Sequence, residues 1–115
     1  MTPAARKARD TRAVYRWEDR IRSGSQYAAP IGALRSLARR VWREHGKGSC
    51  PEVRAGRGIP FTGTLASYSM GRLIVLARHH RDKVVLLHEL THALGPSTHG
   101  RRFQNLYAEL LERYL

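Results

Sequence analysis

A single cysteine, Cys50, in 115 residues excludes an intrachain disulfide and with it a disulfide-stapled secreted scaffold. Long apolar runs are missing too, and none approaches the ~20 residues a helix needs to span a bilayer. Residues 1–12 are polar and basic, and no apolar core follows them, so no secretory leader is expected. Neither internal repeats nor low-complexity tracts are present. Acidic groups are scarce, 9 Asp and Glu against 21 Lys and Arg. These absences predict one soluble, cytoplasmic domain spanning residues 1–115, with no membrane partner.

What is present is arginine. Only three of the basic residues are Lys, Lys7, Lys47 and Lys83, and the formal net charge is +12. Guanidinium groups bind phosphate and carboxylate in a bidentate fork, so an Arg-rich surface suits nucleic acid. Scattered arginines also simply solvate a surface, and composition leaves both readings open. Hydrophobic residues at 42% and charged residues at 26% describe a globular chain. A chain this short buries one modest core, to which a bound metal would add stability.

Periodicity places the elements. Val14, Trp17 and Ile21 fall at i, i+3 and i+7, predicting a helix over 9–21 with Asp10 or Thr11 as its cap. Ser23-Gly24-Ser25 ends it. A second helix over 30–45 starts with Pro30 in its first turn. Its apolar stripe is Ile31, Leu34, Leu37, Ala38, Val41 and Trp42, with Arg35, Arg39, Arg40 and Arg43 largely off it. Gly46-Lys47-Gly48-Ser49 breaks the chain. Short strands are expected over 51–57 and 64–70, and Gly71-Arg72 makes a hairpin turn into the clearest strand, 73–77. Asp82 caps a third helix over 83–94, stopped by Gly95-Pro96. A fourth, over 100–114, carries Phe103, Leu106, Tyr107, Leu110, Leu111 and Tyr114 on one face.

The third helix reads His88-Glu89-Leu90-Thr91-His92, the H-E-x-x-H pattern. Residues four apart on a helix differ by only ~40° in direction, so both imidazoles leave one face and can reach one ion. Glu89 lies ~100° round from His88 and projects beside the ion, placed to take a proton from water. With six His and six Glu in the chain, the pattern arises by chance roughly 0.016 times, so composition does not account for it. Its apolar flanks, Val84 to Leu87 and Leu90, Ala93 and Leu94, predict burial, which is costly for these three side chains unless a cation partners them. Gly95-Pro96 turns the chain and Ser97-Thr98 is short, so His99 can fold back as the third ligand. Three protein ligands leave a fourth position for water, the mark of a catalytic rather than a structural zinc site.

His88-Glu89-Leu90-Thr91-His92 followed by His99-Gly100 and Phe103 resembles the SprT-like branch of zincin metallopeptidases, whose pattern is H-E-x-x-H and then H-G-x-x-F. The chain is most similar to a small metallohydrolase family of actinobacteria and their phages, which opens with an Arg-Asp, Tyr and Trp-Glu pattern. Here that is Arg9-Asp10, Tyr15 and Trp17-Glu18. The resemblance implies a zincin-like α+β fold, a small sheet packed against helices that include the active-site helix. It also implies His88, His92 and His99 as Zn2+ ligands, Glu89 as general base and a protein or peptide as substrate. SprT-like proteins include proteases acting on DNA-bound proteins, which the basic surface would suit. The metzincin pattern fails, because position 98 is Thr98 and both methionines, Met1 and Met70, precede the helix.

Other residues are read more plainly. His79-His80 are expected in a solvated turn, Trp17 and Trp42 in the core, and Cys50 as an unreactive thiol. Tyr107 and Tyr114 are expected to pack the last helix. The strand over 73–77 is expected to offer an edge to an extended peptide. Metal-assisted hydrolysis with Glu89 as base is the favoured chemistry. The rival is a basic nucleic-acid-binding or virion-associated module whose zinc is only structural.

Overall fold

A computed structural model describes residues 12–18, 20, 27–56, 68–77 and 81–115. Residues 12–18 are helical and form α1. Then follow α2 (Ile31–His45), β1 (Glu52–Gly56), β2 (Tyr68–Met70), β3 (Leu73–Ala77), α3 (Lys83–Ala93) and α4 (Arg101–Tyr114). The fold is therefore α+β, with four helices and one three-stranded sheet among the described residues. Expectations for Arg9, Asp10, Thr11, Ile21, Ser23 to Ser25, the start of the 64–70 strand and His79-His80 lie outside the described residues.

The sheet has the order β1-β3-β2. β1 runs parallel to β3 with Glu52 opposite Leu73 and Gly56 opposite Ala77. β2 and β3 form an antiparallel hairpin with Met70 opposite Leu73. Gly71 turns it at φ +58°, a conformation glycine takes without steric cost. This order corrects one expectation. Among the described residues β3 is paired on both sides, so it offers no free edge for a peptide, and the edges belong to β1 and β2. Its sequence gives the reason: Ile74, Val75, Leu76 and Ala77 are all buried, the near-continuous apolar run of a central strand.

α2 lays Leu34, Ala38 and Val41 into the core, and its arginines stay exposed. Pro30 is the cap rather than a residue of the first turn, in extended conformation at ψ 154°. Arg35 Nε donates to the Val53 carbonyl at 2.9 Å, which fastens α2 to β1. α3 is buried on nearly every side, from Val84 through Thr91. It lies against α2, α4 and the sheet. Asp82 caps it, its side chain accepting from Val85 N–H at 2.8 Å. Residues 27–29 brace the same end: Lys83 N–H donates to Tyr27 O at 3.0 Å and Ala29 N–H to Arg81 O at 3.2 Å. α4 closes the core with Phe103, Tyr107, Leu110, Leu111 and Tyr114. Trp17 and Trp42, expected in the core, are half-buried and pack against it. Among the described residues no helix is long and apolar enough to cross a membrane.

Candidate metal centre

α3 must end abruptly for its last turn to serve a site. Gly95 N–H bonds to His92 O at 3.1 Å, and Gly95 sits at φ +145°, where a side chain is disfavoured. Pro96 follows and cannot continue the helix. The reversal has two consequences. It brings the Pro96 carbonyl to His92 Nδ1 at 2.8 Å. It also returns His99 over the face of α3 that carries His88 and His92. Gln104 on α4 holds the returning backbone by donating to His99 O at 3.1 Å.

The three imidazoles meet at their Nε2 atoms. His92 Nε2 lies 2.9 Å from His99 Nε2, which lies 3.0 Å from His88 Nε2. A tetrahedral ion with ~2.0–2.1 Å bonds separates its ligands by about 3.3 Å, within a few tenths of an ångström of these two spacings, and all three donor atoms lie within 4.8 Å of one another. These side chains are a group able to hold a metal ion. The structure brings together the three histidines that spacing and one turn single out in the sequence.

Tautomers decide what the cluster wants. His88 Nδ1 contacts the Glu18 carboxylate and His92 Nδ1 contacts the Pro96 carbonyl. Both partners only accept, so each Nδ1 carries the proton and each Nε2 presents a bare lone pair to the same point. His99 can donate its one Nε2 proton to only one of them. As neutral rings the three histidines therefore cannot satisfy one another, and a cation at the point where they meet satisfies all three.

Electrostatics agree. Burial, then the neighbouring His88 and His92, holds His99 down at about 4, and burial lowers His92 as well, so both favour the neutral form that binds metal. Glu89 is 7% exposed, with Oε1 4.0 Å from His88 Nε2. Burial raises its pKa, and the nearby Glu18 carboxylate adds to the rise while His88 opposes it. A carboxylate poised this way readily takes up a proton. A divalent cation would offset the charges of Glu18 and Glu89, both largely buried.

An aromatic floor fixes the rings. Phe103, fully buried, sits 4.6 Å from the His92 ring, 4.8 Å from His99 and 4.9 Å from His88 by centroid. Tyr107 packs 5.5 Å from His88 and 5.2 Å from Trp17. Tyr15 packs edge-on 5.8 Å from His99. Tyr114 serves structure, its hydroxyl donating to Glu44 at 3.0 Å. Cys50 stands outside the histidine group, half-buried, with burial raising its thiol pKa.

Sequence reasoning missed the contact between Glu18 and His88. Its only sequence signal was the Trp17-Glu18 pair in the pattern near the start of the chain, and nothing there relates it to a histidine seventy residues on. No family model, curated protein or solved structure matches the chain.

Proposed function

We propose that the chain is a zinc-dependent metallohydrolase of peptidase type, of the zincin-like, SprT-like kind that its H-E-x-x-H and H-G-x-x-F patterns resemble. The observation that carries the reading is the convergence of three Nε2 atoms, two of them stripped of protons by Glu18 and Pro96, beside a buried carboxylate. Three imidazoles with, among the described residues, no fourth side chain in the group fit a catalytic zinc site rather than a closed structural one.

Zinc held by His88, His92 and His99 would supply Lewis acidity toward water and a substrate carbonyl. Glu89 does the proton work. Its Oε atoms, raised in basicity by burial, accept the proton of the attacking water and return it to the leaving amine. The Phe103 ring keeps the three imidazoles in register and dry on one side. The exposed Arg35, Arg39, Arg40 and Arg43 give α2 a basic face, which suits a phosphate-bearing partner such as nucleic acid.

Glu89→Gln is the test, assayed on unfolded protein or peptide mixtures with zinc content measured alongside. The variant keeps zinc and fold and loses hydrolysis by several orders of magnitude. Hydrolysis unchanged in Glu89→Gln would overturn the mechanism. Zinc bound without hydrolysis of any substrate by the wild type would leave the basic binding module with a structural zinc as the better account.

A further inference from the structure

α1 is remote in sequence from the H-E-x-x-H helix, yet three contacts at or beside the site come from it. Glu18 meets His88 Nδ1, Tyr15 lies edge-on to the His99 ring at 5.8 Å, and Trp17 packs on Tyr107 at 5.2 Å. Tyr107 in turn lies against His88. α1 is anchored by Val14, which is 1% exposed in the core. The Glu18 side chain is 13% exposed and the His88 side chain 10%, so their contact is largely withdrawn from water.

An imidazole without a partner at Nδ1 exchanges between two tautomers, and only one leaves Nε2 free for a metal. A buried carboxylate at Nδ1 selects that tautomer, fixes the ring plane and makes Nε2 a stronger donor. Pro96 performs the same office for His92 from within the α3 turn. For His88 no group on α3 does so, and the task falls to a separate helix.

We propose that Glu18 is the positioning residue of the metal centre, setting the tautomer and orientation of His88, and that docking of α1 and binding of the metal are thereby coupled. This rests on the metal-centre reading above. The coupling runs both ways by thermodynamic necessity: what α1 adds to metal affinity, metal adds to the docking of α1. A residue that only filled space between α1 and α3 would affect stability and leave metal affinity unchanged.

The test is zinc affinity by competition with a chromophoric chelator, measured on the full chain for wild type, Glu18→Gln and Glu18→Ala. Glu18→Ala is expected to bind zinc about 10- to 100-fold more weakly, the usual range for losing such a partner. Glu18→Gln, isosteric and still able to accept from Nδ1–H, is expected to recover part of that loss. Nitrogen-15 NMR of the metal-free proteins is expected to show His88 protonated at Nδ1 in the wild type and in both tautomers in Glu18→Ala. Backbone amides of residues 12–18 are expected to gain hydrogen-exchange protection when zinc is added to the wild type. Wild-type affinity in both folded variants, or α1 amides indifferent to zinc, would overturn the inference and leave the metal centre standing. A folded wild type that binds no zinc would overturn both.

Discussion

Phe103→Leu isolates what an aromatic floor contributes to a cluster of imidazoles. Phe103 is fully buried and its ring centroid lies 4.6–4.9 Å from all three histidine rings and 5.3 Å from Tyr107. Truncation to Ala would cost about 3–5 kcal/mol, a large part of the roughly 5–15 kcal/mol that holds a domain together, and would confuse site with fold. Leu keeps most of the volume and removes the flat ring. The loss is then mainly the edge and tilted ring contacts, about 0.5–1.5 kcal/mol beyond area burial, plus a small packing defect. Metal-free urea denaturation should show a loss of about 1–2 kcal/mol. The melting temperature should fall roughly 4–8 °C. If the same contacts keep the imidazoles aligned, zinc affinity should fall about 2- to 13-fold, the equivalent of 0.5–1.5 kcal/mol. Chelator competition reads this directly. A Phe103→Leu protein with lowered stability and wild-type zinc affinity would refute the idea that the ring preorganises the ligands.

Three further outcomes are expected. Asp82→Ala removes the side-chain cap of α3 and should cost about 1 kcal/mol by calorimetry, with zinc still bound, since the cap lies at the end of α3 away from His92. Zinc at 100 times its dissociation constant should stabilise the wild type by about 2.7 kcal/mol, roughly 10 °C in melting temperature, and do nothing for His92→Ala. Lowering pH acts through His99, whose folded pKa of about 4 lies below its ordinary 6.5. Between those values the unfolded chain binds more protons than the folded one, so metal-free stability should fall as pH drops from about 6.5 toward 4. The raised pKa of Glu89 acts oppositely, favouring the folded state as it takes up a proton. Zinc affinity should also fall with pH as protons compete for the imidazoles. Denaturation and chelator titrations between pH 4 and 7.5 check both trends, and in Glu89→Gln, which lacks the opposing carboxyl, a metal-free stability that rises on acidification through this window would count against the buried, neutral His99.

Much of the site was legible because its information is local. Helical spacing alone put His88 and His92 on one face, and Gly95-Pro96 announced the turn that returns His99. Asp82 as cap and Gly71 in the hairpin were equally readable, since each follows from one residue's backbone chemistry. Non-local facts were not. Strand order is not encoded in the pattern of any one strand, so the central place of β3 had to come from the sheet itself. The mistaken edge for peptide binding followed from that. Glu18 reads as an ordinary carboxylate on an amphipathic helix until α1 docks and brings it to His88. α3 is nearly devoid of amphipathic asymmetry because it is buried almost all round, so the Asp82 cap and the Gly95-Pro96 stop, rather than periodicity, identified it.

Zinc content by elemental analysis, on purified wild type and His99→Ala dialysed against a weak chelator, tests the central claim most directly. The account predicts about one zinc per wild-type chain and a clear loss in the variant, because His99 supplies one of the three imidazoles that the account gives the ion as ligands. Well-folded wild type that carries no zinc, even after zinc is supplied, would contradict it.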